Sequence, residues 1–596
     1  MKSRLVIAGL ALMVGLVAFG LDQEETFLAG YSTTAQLRTT AALDLYVDPG
    51  GNDNSACTSA AAPCATIEGA CGKIPNDVCH LVTVTVDAGS YAGGCHLIGK
   101  RQCAGSSWSA PGQVVIRGVL STYAPADGGT GAGTLSSVSN GSNCTESVFT
   151  DSAAAWNTNE LQGKLFDISS GTGAATGYTW PIVSNTATAV TIAGIPITNP
   201  TAGSGYIIKE RATIITAALS DTIVSSGPPI PAKTARKAAF VVSNGQPYQD
   251  ESSTIPFISI ERLKFSYATD VGVWGNGPVA LKENEFTSSV IGFRGLPGQT
   301  HVALERNTLN GTGTFVVLGN TAYGSLPSAI QAYSNVGINS GTFISTGTAG
   351  QVWTKFNTLT QTGSAAAAIR VAAVLDGVSQ CDNFTGFASC FSTPTGLTLV
   401  SGPVQMSFNG LVCDDNSRGT YQFSLAGGYA HISIDENAGS TGTSTITSSS
   451  HIAALNLGAR LTLGSTSTTF SGAGTDFSFT GTPSSVTLAA LRARIPKVAM
   501  DPFGSIVSEA GGTAPLWDPA LVHGSTPKAI ESGTSAFVAG VRAITFGTAF
   551  TAAPDCTCTT SSATVPCSIS TPASTTAVTF SGTTTDAFSY SCTGAR

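Results

Sequence analysis

Apolar residues recur along this chain in short β-branched pulses, not at helical spacing. LDLYV (43–47) and LVTVTV (81–86) alternate apolar and polar side chains, and the second closes on the turn DAGSY (87–91). Alternation of period two, bounded by Gly, Asn and Asp, predicts strands with one buried face. In the middle of the chain the pulses become a repeat. ISIERLKFSY (258–267), VALKENEFTS (279–288) and VALERNTLNG (302–311) align without gaps, and Phe265, Phe286 and Leu309 fall in register at spacings of 21 and 23 residues. TKFNTLTQT, QCDNFTGF, MSFNGLVC and ISIDENAG continue the series at intervals of 20–28 residues. One strand-turn-strand unit per period of that length predicts a solenoid, each coil stacked on the last.

The alignment also stacks polar residues. Asn284, Asn307, Asn357, Asn383 and Asn409 recur beside an apolar position. Asn tolerates left-handed turns and can bond its copy one coil away, so these five are expected to form a ladder at a corner. The functional alternative is a row of amides lining a sugar groove. Glu261, Lys282 and Glu305 share one column, Arg262, Glu283 and Arg306 the next, and Lys264 stands over Glu285. Strands in a sheet lie about 4.8 Å apart, so alternating signs attract and discourage slips of register.

Composition fits this picture. Of 596 residues only 11% are charged, 68 are Gly and 42% are hydrophobic, which describes an all-β protein with a surface of hydroxyls and amides. A net charge of −8 without a basic patch argues against nucleic acid as a partner. MKSR followed by an uncharged apolar run to Phe19 and the small-x-small site AFG reads as a signal peptide over 1–20, with a linker over 21–43. No later stretch is long and apolar enough to span a membrane. Fourteen Cys in a secreted chain imply disulfides. They fall in groups of seven (57–144), three (381–413) and four (556–592), so odd counts leave the pairing open. Cys558 with Cys567 and Cys556 with Cys592 is one connectivity the tail allows. No Cys or His grouping has metal-ligand spacing.

YVDPGGNDNSACTSAAAPCATIEGA followed by VTVTVDAGSYAGG resembles the opening of right-handed parallel β-helix proteins of the pectin-lyase-like superfold. The resemblance implies a cap and first coils over 44–133, with PCATI leading into a short helix, and a right-handed parallel β-helix over 211–490. Residues 134–210 interrupt the repeat and resemble the small β-domains inserted near the start of tail-spike-like β-helices. ITFGTAFTAAP, near the end, resembles a strand of tail-fibre tip domains and H-type lectins. That likeness implies a C-terminal β-sandwich over 535–596 of a kind that assembles as homotrimers and binds glycans. Pro- and Gly-rich residues 491–534 read as a connector.

β-Helical enzymes act on polysaccharides either as lyases, with Ca²⁺ held by carboxylates and an Arg or Lys base, or as hydrolases with two or three carboxylates. Outside the charge columns stand Asp376, Asp382, Asp414, Asp415, Asp435 and Glu436, with Arg370 and Arg418 nearby. Asp382, Asp414, Asp415, Asp435 and Arg418 form the catalytic candidate set, against the plain reading of an Asp in a turn. Asp414-Asp415 supplies the DD of polygalacturonases, but the G-H-G is missing, and no pectate-lyase motif is recognisable. Ca²⁺ is a cofactor only on the lyase reading. Trp156, Trp180, Phe546 and Phe550 are the candidates for stacking on sugar, against a core role for the two tryptophans. The expected function is a secreted or cell-surface β-helical rod that binds polysaccharide without cleaving it. A polysaccharide lyase or glycoside hydrolase is the competing class.

Overall fold

The computed structural model describes residues 38–103, 112–219 with short gaps, and, largely strand by strand, 237–595. Residues 1–37, 104–111, 220–236, 244–255, 319–328, 394–403, 415–420, 435–443 and 546–552 are among those outside the described residues, and between 451 and 541 strand backbones alone are described. The expected signal peptide thus lies outside the described residues.

From residue 257 the chain winds as a parallel β-helix of three sheets. The first contains Phe257–Glu261, Ala329–Tyr333, Ala349–Lys355, Val374–Gln380, Val404–Asn409 and Ala430–Ile434. A second, of short strands, contains Leu263–Phe265, Glu285–Thr287, Thr308–Asn310, Val336–Ile338, Thr358–Thr360, Asn383–Thr385 and Val412–Asp414. The third contains Ala238–Ser243, Thr314–Leu318, Ile344–Thr346, Ala367–Val371, Ser389–Thr393 and Tyr421–Leu425. Val271–Lys282 and Ile291–Glu305 each run from the third sheet into the first without a break. All neighbouring coils pair in parallel, and Phe265, Phe286 and Leu309 are ladder partners as the alignment predicts. Alternation turns one apolar row of each sheet inward. Phe265 stacks on Phe286 at 4.8 Å, and Phe286, Phe315, Phe343 and Phe384 continue the file at 5.4–6.4 Å.

The corner between the first and second sheets repeats in every coil. Arg262, Glu283, Arg306, Ser334, Phe356, Cys381 and Gly410 all have φ between 51° and 63°. In the described coils up to Cys381, the N–H of each of these residues donates to the last carbonyl of the first-sheet strand one coil on, as Glu283 does to Glu305 and Ser334 to Lys355. The residue that follows is the amide column: Asn284, Asn307, Asn335, Asn357. Each Asn Oδ1 accepts the N–H of its counterpart one coil back, and each Nδ2 donates to a first-sheet carbonyl, Ile260, Leu281, Leu304 or Ala332. This corrects the expected ladder in two ways. The left-handed residue is the one before each Asn. Asn383 and Asn409 stand outside the column, which takes Asn335 and Asp382 in their place. Spacing alone misled because Asn383 follows Asp382 directly and the coil lengths vary.

The charge columns form as read. Arg262 and Arg306 both reach Glu283, at 2.7 and 3.4 Å. Lys264 meets Glu285 at 3.1 Å, and Lys282 meets Glu305 at 3.6 Å. Burial pushes Glu283 up, but the two guanidinium groups outweigh it and hold the carboxyl below its usual range.

At the start of the chain, Leu43–Val47 and Val82–Val86 pair in parallel and continue through Gln113–Gly118 to Phe257–Glu261. The helix Ile67–Cys71 is capped by Thr66, and Asp53 accepts from the Ala65 and Thr66 N–H groups and the Thr66 hydroxyl. Cys57–Cys64, Cys71–Cys95 and Cys79–Cys103 pin this cap.

Between the cap and the solenoid an antiparallel sheet of eight strands spans Leu120–Thr122 to Gly205–Arg211. Its own core contains Phe149, Phe166 and Tyr206, stacked at 4.9 and 5.2 Å. It docks on the second sheet. The Arg211 side chain is wholly buried there and donates to the Glu283, Gly163 and Asn284 carbonyls and to Thr308 Oγ1. Gly194, with φ +83°, abuts Phe356 so closely that a Cβ would lie 2.6 Å from the Phe356 Cβ. Cys144 bonds to Cys381 across the junction, 237 residues apart, and Cys390 bonds to Cys413. These two bridges resolve the odd counts of the early and middle groups.

Short antiparallel strands Val498–Met500, Ile506–Ser508 and Leu516–Asp518 occupy the stretch expected as a connector. In the tail, Lys528–Ala536, Ala587–Ala595 and Asp555–Thr560 form one antiparallel sheet, and Val541–Thr545, Ala577–Ser581 and Ser568–Thr571 another. Phe580, Phe588 and Tyr590 pack together, and Cys556 bonds to Cys592. Cys567 lies outside the described residues.

Asn307 accepts from Asn284 and donates to Leu281 and Asn335 from a fully buried position, so its removal orphans several polar groups at once. Asn307→Ala is expected to lower the unfolding free energy by about 2–4 kcal/mol in chemical denaturation. Asn409→Ala, outside the column, should cost less than about 0.5 kcal/mol.

Candidate functional site

The carboxylates singled out by sequence are scattered by the fold. Asp382 is 0% exposed and continues the amide column. Its Oδ1 accepts from the Asn357 N–H and Nδ2, at 2.8 and 2.9 Å, and its Oδ2 accepts the hydroxyls of Thr354 and Ser379, at 2.5 and 2.6 Å. Thr354 and Ser379 are ladder partners in the inward row that earlier coils fill with Ile260, Leu281, Leu304 and Ala332. Hydroxyls therefore enter the core where a carboxylate must be satisfied. Burial pushes the Asp382 carboxyl above its ordinary range. The residue touches no open face, so its assignment to catalysis is corrected to a structural role.

Asp414 ends Val412–Asp414 on the second sheet, half-buried, with Thr385 and Thr447 as ladder partners. Asp376 is exposed on the first sheet beside Gln351. Arg370 is exposed on the third, between Ser345 and Ser392. Among the described residues the candidate carboxylates thus occupy a buried corner and two different sheets, with no pair flanking a common cleft. No group of three or more His, Cys, Asp or Glu among the described residues is placed to hold a metal ion. Asp415, Arg418, Asp435 and Glu436 lie outside the described residues.

Trp156 and Trp180 are 4% and 5% exposed, in the core of the inserted sheet with Phe149, Phe166 and Tyr206. Neither ring offers a face to a sugar, so the stacking assignment gives way to the core one. Phe546 and Phe550 lie outside the described residues.

Sequence reasoning passed over Trp353. It stands in QVWTK (351–355), between inward Val352 and Thr354, so alternation turns the ring outward on the first sheet. The ring is 41% exposed. Gln331 and Val378 are its ladder partners, and Gln351 and Lys355 lie two residues away on the same face. Further along this face stand Gln405, Ser407 and Ser433, the last two within hydrogen-bond distance of each other at 2.8 Å. The signal was available: extending the coil alignment by two coils sets Gln331 and then Trp353 in line with Ala280 and Ala303.

The insert masks the second sheet in the same coils. Thr308, Val336 and Thr358 point outward yet are at most 2% exposed. Glu146, from the inserted sheet, meets Asn383 Nδ2 at 3.2 Å, and burial raises its carboxyl above the usual range.

No protein-family model matches the chain, and no curated protein matches it. Several solved structures are similar, two tailspike proteins among them. One is the tailspike protein gp49 from Pseudomonas phage LKA1, 12% identical, with 86% of this chain and 90% of that chain covered and a TM-score of 0.25. The other is the tailspike protein gp49 from Acinetobacter baumannii bacteriophage Fri1, a capsular polysaccharide depolymerase, 8% identical, with 93% and 86% covered and a TM-score of 0.25. The β-helical fold described above stands on this chain's own parallel ladders.

A structural Asp382 has a signature in pH. Its folded pKa is raised, so between the ordinary aspartate value and that raised value the unfolded chain binds fewer protons, and stability falls as pH rises through this window. Asp382→Asn extends the amide column and removes that loss. Its thermal midpoint relative to wild type is expected to rise between pH 3 and pH 7, because the variant has no carboxyl to titrate. A difference from wild type that stays the same between pH 3 and pH 7 would contradict the assignment.

Proposed function

We propose that this chain is an extracellular or cell-surface rod that binds polysaccharide through its β-helix without cleaving it. The observation that carries the reading is the division of polar chemistry over the solenoid. Arg262, Lys264, Lys282, Glu283, Glu285, Glu305 and Arg306 pair in ladders, whereas the open face of the first sheet presents Gln331, Gln351, Trp353, Gln405, Ser407 and Ser433, with Asp376 and Lys355 as one charge of each sign beside them. Neutral donors and acceptors around an aromatic ring suit a hydroxyl-rich ligand. Six disulfides among the described residues support an oxidising compartment. Among the described residues no helix is long and apolar enough to cross a membrane. Trimeric assembly, implied by the tail-tip resemblance of the C-terminal segment, belongs to the same reading.

The test is a panel of acidic and neutral polysaccharides incubated with the disulfide-intact chain, with and without Ca²⁺. Retention on at least one polymer, with no new reducing ends and no ultraviolet-absorbing unsaturated products, is expected. Cleavage would make the chain an enzyme, and neither retention nor cleavage would sink the proposal.

A further inference from the structure

We infer that the outer face of the first sheet around Trp353 is a glycan subsite that takes the apolar face of a pyranose ring in an uncharged stretch of polysaccharide. This deepens the binding reading above and rests on it.

Single exposed apolar residues are ordinary and need no ligand. Trp353 is not single. Seven large apolar side chains are exposed among the described residues, and Trp353 and Val378, at 41% and 36%, are the two of them that are ladder partners. Adjacent coils lie about 4.8 Å apart, so the indole and isopropyl groups make one continuous apolar shelf. Nothing on this face covers it among the described residues, whereas outward residues of the second sheet in the same coils are buried by the insert.

Around the shelf stand groups that recognise hydroxyls. Gln331 adjoins Trp353 one coil back, and Gln351 precedes it on the strand. Gln380 adjoins Lys355 one coil on. An amide both donates and accepts, so it can bond vicinal hydroxyls. An aromatic face accepts the C–H side of a pyranose while the ring's equatorial hydroxyls reach sideways to such amides.

Charge decides the class of polymer. Asp376 and Lys355 are the ionic groups flanking the shelf, one of each sign. Lys355 Nζ is held 4.7 Å over the Phe356 ring, at the corner. A neutral patch whose cation is already engaged does not suit a polyanion, which would call for unpaired Arg or Lys. Beyond Val378 the column continues through Ser407 and Ser433. Gln331 to Ser433 spans four coil steps, roughly 19 Å along the solenoid axis, enough for several sugar residues laid lengthwise.

The experiment is affinity gel electrophoresis of the full disulfide-intact chain in gels containing galactomannan, mixed-linkage β-glucan, dextran or, as the polyanion, alginate. Wild type is expected to be retarded by a neutral polymer. Trp353→Ala should weaken that retardation roughly tenfold and Trp353→Phe less. Ile197→Ala, at an exposed apolar residue in the loop between Ala189–Ala193 and Gly205–Arg211, should change nothing. All variants should share the wild-type unfolding midpoint. Retardation of Trp353→Ala equal to wild type, or retardation by alginate alone, would overturn the subsite and leave polysaccharide binding standing. No retardation of wild type by any polymer would overturn binding itself, and the subsite with it.

Discussion

A buried column of amides at one corner holds the coils in register. At the turns from the first sheet to the second between Arg262 and Cys381 the backbone enters the left-handed region at a side-chain-bearing residue such as Glu283 or Arg306, a conformation that is unfavourable on its own. The Asn that follows ties the corner to the coils on either side, through its carbonyl oxygen to one N–H and through its amide to a strand carbonyl. Every inward row, including the phenylalanine file, and every outward row depends on that register. A slip of one residue would exchange the two faces of each strand.

The junction between the inserted sheet and the solenoid is the second organising constraint. A fully buried guanidinium is tolerable because Arg211 finds three carbonyls, a hydroxyl and the carboxylate of Glu285. The Cys144–Cys381 bridge ties the same surfaces covalently. Covering the second sheet in this way leaves the first sheet open in the same coils, and this is why the binding reading centres there.

Asp382 shows how the fold can absorb a residue that looks catalytic. In the linear sequence it is an Asp beside an Asn in a turn. Within the solenoid it is the fifth member of a buried polar column, and Thr354 and Ser379 are the hydroxyls that make its burial tolerable. Trp156 and Trp180 were likewise candidates for a surface role and became the core of the insert.

Much of the solenoid was legible in the chain itself. Period-two pulses repeating every 20–28 residues specify stacked strands, and the alternating signs at 261–264, 282–285 and 305–306 specify which residues stack, because like charges one coil apart would repel. The resemblance of the opening stretch implied the short helix after PCATI, and the break in the repeat announced the interruption before residue 211. Tertiary structure decided the rest. Which Asp is buried, which Trp faces water and which cysteines meet across 237 residues depend on contacts between segments far apart in the chain, and one-dimensional spacing carries no information about which outward face another segment will cover.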